Sequence, residues 1–126
     1  MSAPLRRDYP TGAPRRERDE ERERVRVAVE VPDDMLYFSG HFPGYPILPG
    51  VAQLVPLVVG QIRGAWADLA HPRRLSRLKF RQPIFPGARL ELVLERRAGA
   101  ARVQFRLLRD GRTCSEGTLD YAAAAA

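Results

Sequence analysis

The stretch Pro49-Gly50-Val51-Ala52-Gln53-Leu54-Val55-Pro56-Leu57-Val58-Val59-Gly60-Gln61-Ile62-Arg63-Gly64-Ala65-Trp66-Ala67-Asp68-Leu69 decides the fold. Val51, Leu54, Val55, Val58, Val59, Ile62, Trp66 and Leu69 recur at helical spacing. The opposite side carries Ala52, Gln53, Gly60, Gln61 and Gly64, with few charges. A helix this apolar on most sides is predicted to be wrapped by other structure. Gly60 and Gly64 lie one turn apart and predict close approach of a neighbouring element. Pro56 lacks a backbone donor and predicts a kink. Such a kink frees the Ala52 carbonyl, either to bind a water or the substrate, or simply as an adaptation of the helix. His71-Pro72 is expected to close the helix, with His71 as a cap or surface residue.

Outward from this helix the pattern turns to strands. On the N-terminal side, Val25, Val27, Val29 and Val31 alternate with Arg26, Ala28 and Glu30, the period of a half-buried strand. Pro32 and Asp33-Asp34 end it in a turn. Residues 1–24 contain four turn-forming Pro and Gly residues and then a run of mixed charge with no apolar face. They are predicted to be a flexible tail. On the C-terminal side, Leu78 to Arg81 leads into the turn Pro83-Ile84-Phe85-Pro86-Gly87. Leu90, Leu92 and Leu94 form one alternating run, and Val103, Phe105 and Leu107 another. Asp110-Gly111 signals a hairpin, followed by a last strand from Arg112 to Tyr121. A two-residue turn there sets Glu116 opposite Phe105 on the core face. A three-residue turn sets Ser115 opposite Phe105 and turns Glu116 outward. The alanine run 122–126 reads as a frayed end. One α+β domain over 25–121 follows, an antiparallel sheet with one buried helix.

Composition narrows the function. The chain has 126 residues, room for one domain, and 44% hydrophobic residues, enough for a core that further burial by oligomerisation would complete. One cysteine excludes an intrachain disulfide and favours a cytoplasmic setting. With two histidines it also argues against a structural zinc site. The charged start does not read as a secretory signal, and the longest apolar run, 51–59, is too short for a membrane span. The net charge is +6, with Lys79 the only lysine among the basic residues. No helix-turn-helix, zinc-ligand spacing or RNA-binding aromatic motif accompanies it, so nucleic acid is not an expected partner.

The segment His41-Phe42-Pro43-Gly44-Tyr45-Pro46-Ile47-Leu48-Pro49-Gly50-Val51 resembles the signature of 3-hydroxyacyl-acyl carrier protein dehydratases of the FabZ/FabA type, and more closely their ApeI-like relatives. Lys79-Phe80-Arg81-Gln82-Pro83-Ile84-Phe85-Pro86-Gly87 resembles the same family's strand and turn after the central helix. The resemblance covers roughly Val25 to Tyr121. It implies a hotdog fold, a long antiparallel sheet wrapped around one long central helix, assembled as a homodimer or higher oligomer. It also implies action on acyl carrier protein or CoA thioesters of 3-hydroxyacyl groups, giving trans-2-enoyl thioesters in fatty-acid or polyene-type synthesis. It implies neither a cofactor nor a metal.

The local chemistry agrees. The prolines hold the loop extended and rigid. Gly50 turns the chain into the helix, whose first N–H groups, those of Gly50, Val51 and Ala52, have no intrahelical partner. They and the helix dipole favour negative charge. A thioester carbonyl docked there is polarised, and the enolate formed by loss of its α-proton is stabilised. His41 is the natural base. Phe42, Tyr45, Ile47, Leu48, Val51, Leu54, Val55, Phe80 and Phe85 are candidates to line an acyl tunnel. Arg73, Arg74, Arg77 and Arg81 are candidates to meet an acidic carrier protein or its phosphate.

One feature departs from the family pattern. The Asp or Glu that assists the leaving hydroxyl in the resembled family falls here on Val55, and the glutamine one turn further on falls on Val59. No acid occurs from His41 to Ala67. Three routes stay open. His41 acts alone; a carboxylate-bearing hotdog chain completes the site in a heterodimer; or the chain binds acyl thioesters without turning them over. Hotdog thioesterase chemistry, which also wants a carboxylate near the helix, is weakened equally.

Overall fold

The computed structural model describes residues 6–35, 38 and 47–122, Val51 by its backbone alone. Six antiparallel strands form one sheet: β1 (Arg15–Arg18), β2 (Arg22–Glu30), β3 (Pro72–Phe80), β4 (Arg89–Arg97), β5 (Arg102–Arg109) and β6 (Arg112–Tyr121), in the spatial order β1-β2-β4-β5-β6-β3. The alternation read from the sequence sends Val25, Val27, Val29, Leu90, Leu92, Leu94, Val103, Phe105 and Leu107 into one core. Against that face lies the central helix, continuous through α1 (Gly50–Gln53), a π-helical segment (Leu54–Val59) and α2 (Gly60–Ala65). Leu57, Val58 and Ile62 are buried beneath it. Pro56 sits inside the π-helical segment, the local departure from regular helix geometry that its missing N–H predicts.

The helix is shorter than its apolar pattern. It ends at Ala65, and Trp66 is extended, with φ −136° and ψ 105°. Trp66 and Leu69 are buried all the same, from the connection to β3. His71 is therefore not a helix cap; it lies exposed in the bend before Pro72. An added Cβ at Gly60 or Gly64 would meet nothing within 4 Å, so these glycines do not mark a close approach within the chain.

The register of β6 follows neither expected alternative. Asp110 and Gly111 form a two-residue turn, with φ 50° and 77°, between the paired Arg109 and Arg112. A bulge after Leu108 then takes up one residue, so that Gly117 faces Phe105 and Glu116 faces Arg106 on the outer side. The bulge keeps a carboxylate out of the core. It also places a glycine under the Phe105 ring, where an added Cβ would lie 2.7 Å from Phe105 Cε1 and 3.3 Å from Leu78 Cδ1.

Residues 6–24 differ from the expected tail. Gly12 donates to the Ala28 carbonyl at 2.9 Å, Glu30 donates to Pro10 at 2.9 Å, and β1 pairs along β2. This segment carries almost no apolar pattern because charge pairing holds much of it. On the outer face Arg26 reaches Glu17 at 3.7 Å and Glu91 at 2.8 Å, and Arg15 reaches Glu91 at 3.4 Å. On the inner face, past the helix end, Trp66 Nε1 donates to Glu23 at 3.0 Å, and Arg18 pairs with the same carboxylate at 2.9 Å. Arg16 and Arg96 lie 5.5 and 5.6 Å from the Trp66 ring centroid. Arg96, its side chain only 5% exposed, forms a two-pronged bond to Asp68 at 2.7 and 3.2 Å.

Two expectations follow. Gly117→Ala forces a methyl against Phe105 and should cost about 1–3 kcal/mol in urea unfolding. The Arg96 hydrogen bond holds the Asp68 carboxyl below its ordinary value. Its stabilising contribution is thus complete above the unfolded-state value near ~4 and is lost as pH falls through the folded-state value. Asp68→Asn should lower the melting temperature at neutral pH and flatten its fall on acidification. Melts that keep the same acid slope would exclude the pair as the cause.

Candidate active site

The site is built where the loop before the helix meets the end of β3. Leu48 is buried, its N–H bonded to the Ile84 carbonyl at 2.8 Å and its own carbonyl accepting from Gln53 Nε2 at 3.1 Å. The buried Gln53 side chain therefore pins the loop to the first turn, a role its side-chain chemistry alone does not announce. Gly50 starts the helix beneath Phe80. A Cβ built there would stand 2.5 Å from Phe80 Cζ, with Cε2 and Cε1 at 3.0 and 3.1 Å. Only a glycine lets that ring lie over the helix start. Phe80 is still 50% exposed, so the ring is not sealed into the core.

The electrostatics of the helix are one-sided. Its first turn holds no acid; its far end holds Arg63, and Arg16 donates to the Ala65 carbonyl. Positive backbone charge at Gly50 is left without a neutralising side chain of the helix's own. The Ala52 N–H bonds to Pro49 at 3.1 Å, which narrows the expected carbonyl-polarising donors to Gly50 and Val51.

Of the other candidates, Ile47 and Leu54 are half-buried and Val55 is 61% exposed, facing away from its own core. Phe85 is half-buried and lines a shallow depression with Arg89, Arg109 and Asp110. His41, Phe42, Tyr45 and the Val51 side chain lie outside the described residues. Two groups escaped the sequence reading. Ser115, paired with Phe80 and fully buried, has a hydroxyl with no partner among the described residues. Tyr9 is buried, and its hydroxyl donates to the Ala52 carbonyl at 2.6 Å. The carbonyl that Pro56 frees is thus taken by the protein itself, not left for water or substrate. Cys114, its thiol pushed up by burial, is poorly suited to act as a nucleophile. Among the described residues no cluster of His, Cys, Asp and Glu has the makings of a metal site, and no helix is long and apolar enough to cross a membrane.

The model of the ApeI dehydratase family matches residues 16–118, from β1 to the last turn of β6. This chain belongs to the ApeI-like dehydratase family. Its sheet and helix form the hotdog fold of that family. It is 31% identical over 97 residues to the 3-hydroxyacyl-[acyl-carrier-protein] dehydratase FabZ of Streptococcus pyogenes, 68% of each chain being covered. It is 36% identical over 69 residues to the FabZ of Geotalea uraniireducens; that match spans 47% of this chain and 46% of the relative. A crystal structure of an uncharacterized protein from Erwinia carotovora subsp. atroseptica superposes with a TM-score of 0.79 at 32% identity, covering 91% of this chain and 96% of that one. A chain of the dehydratase heterocomplex ApeI:P from Xenorhabdus doucetiae superposes with a TM-score of 0.64 at 26% identity, covering 86% and 97%.

The contact between Gly50 and Phe80 is testable. Because Phe80 is half-exposed its ring can swing aside, so Gly50→Ala should fold with a loss of no more than about 1 kcal/mol. Thioester turnover should nevertheless fall at least about tenfold, as the displaced ring crowds the helix start. Adding Phe80→Ala should remove the steric part of that loss. No recovery of turnover in the double variant would place the cause elsewhere.

Proposed function

We propose that this protein is a hydro-lyase that converts 3-hydroxyacyl thioesters, on acyl carrier protein or CoA, to trans-2-enoyl thioesters and water. The observation that carries this reading is the acid-free helix start at Gly50, directly after the His41–Pro49 segment, in a chain of a dehydratase family. In the reaction the substrate carbonyl docks at the Gly50 and Val51 amides. His41 takes the proton from C2, and the electron pair forms the C2–C3 double bond. The C3–O bond breaks, and the leaving oxygen takes the proton back from His41 to become water, which returns His41 to its starting state. Phe80, Leu48, Ile47 and Leu54, with Phe42 and Tyr45, flank the acyl chain.

A second reading is favoured by Val55, whose side chain cannot supply that last proton. It stands exposed, and one structural neighbour comes from a heterocomplex. Here a second hotdog chain brings the carboxylate to His41. Leu75, Leu78 and Phe80 are exposed on β3, which pairs with β6 on one side and among the described residues has no strand on the other. Edge-to-edge pairing at β3, with another copy or with such a partner, would cover them.

The test is dehydration and hydration of a 3-hydroxyacyl carrier-protein thioester and its enoyl counterpart. His41→Ala should reduce turnover by about 10²–10⁴-fold with folding intact. Val55→Glu should raise the turnover of the homo-oligomer, by up to the same factor. Silence of the well-folded protein alone, with turnover on mixing with a carboxylate-bearing hotdog chain, selects the heteromeric reading. Silence in both arms rejects dehydration and leaves thioester binding. Leu78→Arg should dissociate the assembly in sedimentation velocity; an unchanged sedimentation coefficient rules out the β3 edge.

A further inference from the structure

We propose that Tyr9 is a positioning residue for the thioester site: its hydroxyl stands in for the backbone donor that Pro56 lacks and so fixes the first turn of the central helix. In a regular helix the Ala52 carbonyl accepts from the N–H four residues on. That residue is Pro56, which has none. Ala52 is buried, away from bulk water, so its carbonyl needs another donor. The Tyr9 hydroxyl supplies it at 2.6 Å, from 43 residues away in the chain.

Tyr9 is held in place on both sides. After it, Pro10 accepts from Glu30 at 2.9 Å, Thr11 bridges to Val29 and Gly12 donates to Ala28. Before it, the Arg6 N–H bonds to the Asp34 carbonyl at 2.9 Å, its side chain meets the Asp34 carboxylate at 3.4 Å, and Arg6 bridges to Met35. The N-terminal segment thereby joins the turn at Asp34–Met35, which leads in sequence toward His41, to the helix turn that carries Gly50 and Val51. A shift of the Ala52 carbonyl would tilt the peptide planes whose N–H groups meet the substrate oxygen. The functional part of this inference rests on the dehydratase reading; the latch itself does not.

A double-mutant cycle separates the two. Tyr9→Phe keeps the ring and removes the hydroxyl. Pro56→Ala brings an N–H to the Ala52 carbonyl and should make that hydroxyl redundant. With Pro56 present, Tyr9→Phe should speed amide exchange over residues 51–54 about tenfold, the equilibrium worth of one ordinary hydrogen bond. It should lower kcat by a similar factor with KM nearly unchanged, the signature of contacts made in the transition state. In the Pro56→Ala background the same substitution should change each quantity less than about twofold. Equal effects in both backgrounds would overturn the latch and leave Tyr9 as packing alone, as would no effect in either. Faster exchange in Tyr9→Phe that Pro56→Ala abolishes, without any loss of kcat in an active enzyme, would overturn the positioning role. If the unaltered protein shows no turnover either alone or mixed with a carboxylate-bearing hotdog chain, the dehydratase reading fails, and with it the positioning role of Tyr9, while the exchange data still decide the latch.

Discussion

Two aromatic rings lie over two glycines, and the meeting of helix and sheet depends on both. Phe105 covers Gly117 within the sheet, and Phe80 covers Gly50 at the start of the helix. Neither contact tolerates a Cβ without movement. The first lies in the same core as Leu57, Val58 and Ile62 of the helix. The second brings the end of β3 onto the one part of the helix whose backbone donors point outward. Close packing transmits small changes in side-chain volume, so the geometry of the helix start is tied to the packing of the sheet behind it.

β2, β4 and β5 were legible because each has one buried face, and a period of two survives in the sequence wherever that is so; β3, exposed along nearly its whole length, showed only its end at Leu78 to Arg81. The central helix was legible in its middle but not at its end: Trp66 and Leu69 keep helical spacing yet are buried from an extended connection, and spacing alone does not separate the two. The register of β6 was out of reach, because it turns on a bulge that no turn rule predicts from Asp110-Gly111. What decided it physically was the cost of placing Glu116 in the core. The N-terminal segment was misread for a related reason. Its strand has no apolar face, and its pairing is earned by arginines and carboxylates on β2 and β4 that are distant in sequence.

The site divides in the same way. The chemistry of the Pro/Gly segment and of the helix start is a local property, open to reading from residue types. Tyr9 is not local: it matters through the Ala52 carbonyl that it meets across the fold. The vacancy of acid at Val55 was plain in the sequence, and the structure adds that this side chain faces outward. The charges are also segregated. Positive groups gather at the helix's far end and along β3, while Glu17, Glu91, Glu95 and Glu116 meet arginines on the sheet's outer face.

The two borders of the sheet are unlike. β1 presents only charged side chains, whereas β3 presents leucine and phenylalanine interrupted by a bulge in which Arg77 adopts a left-handed φ of 53°. Adhesion is therefore available on one side and refused on the other. A chain with two adhesive borders stacks without limit into filaments. With one, growth stops as soon as that border is occupied, and the assembly closes on itself.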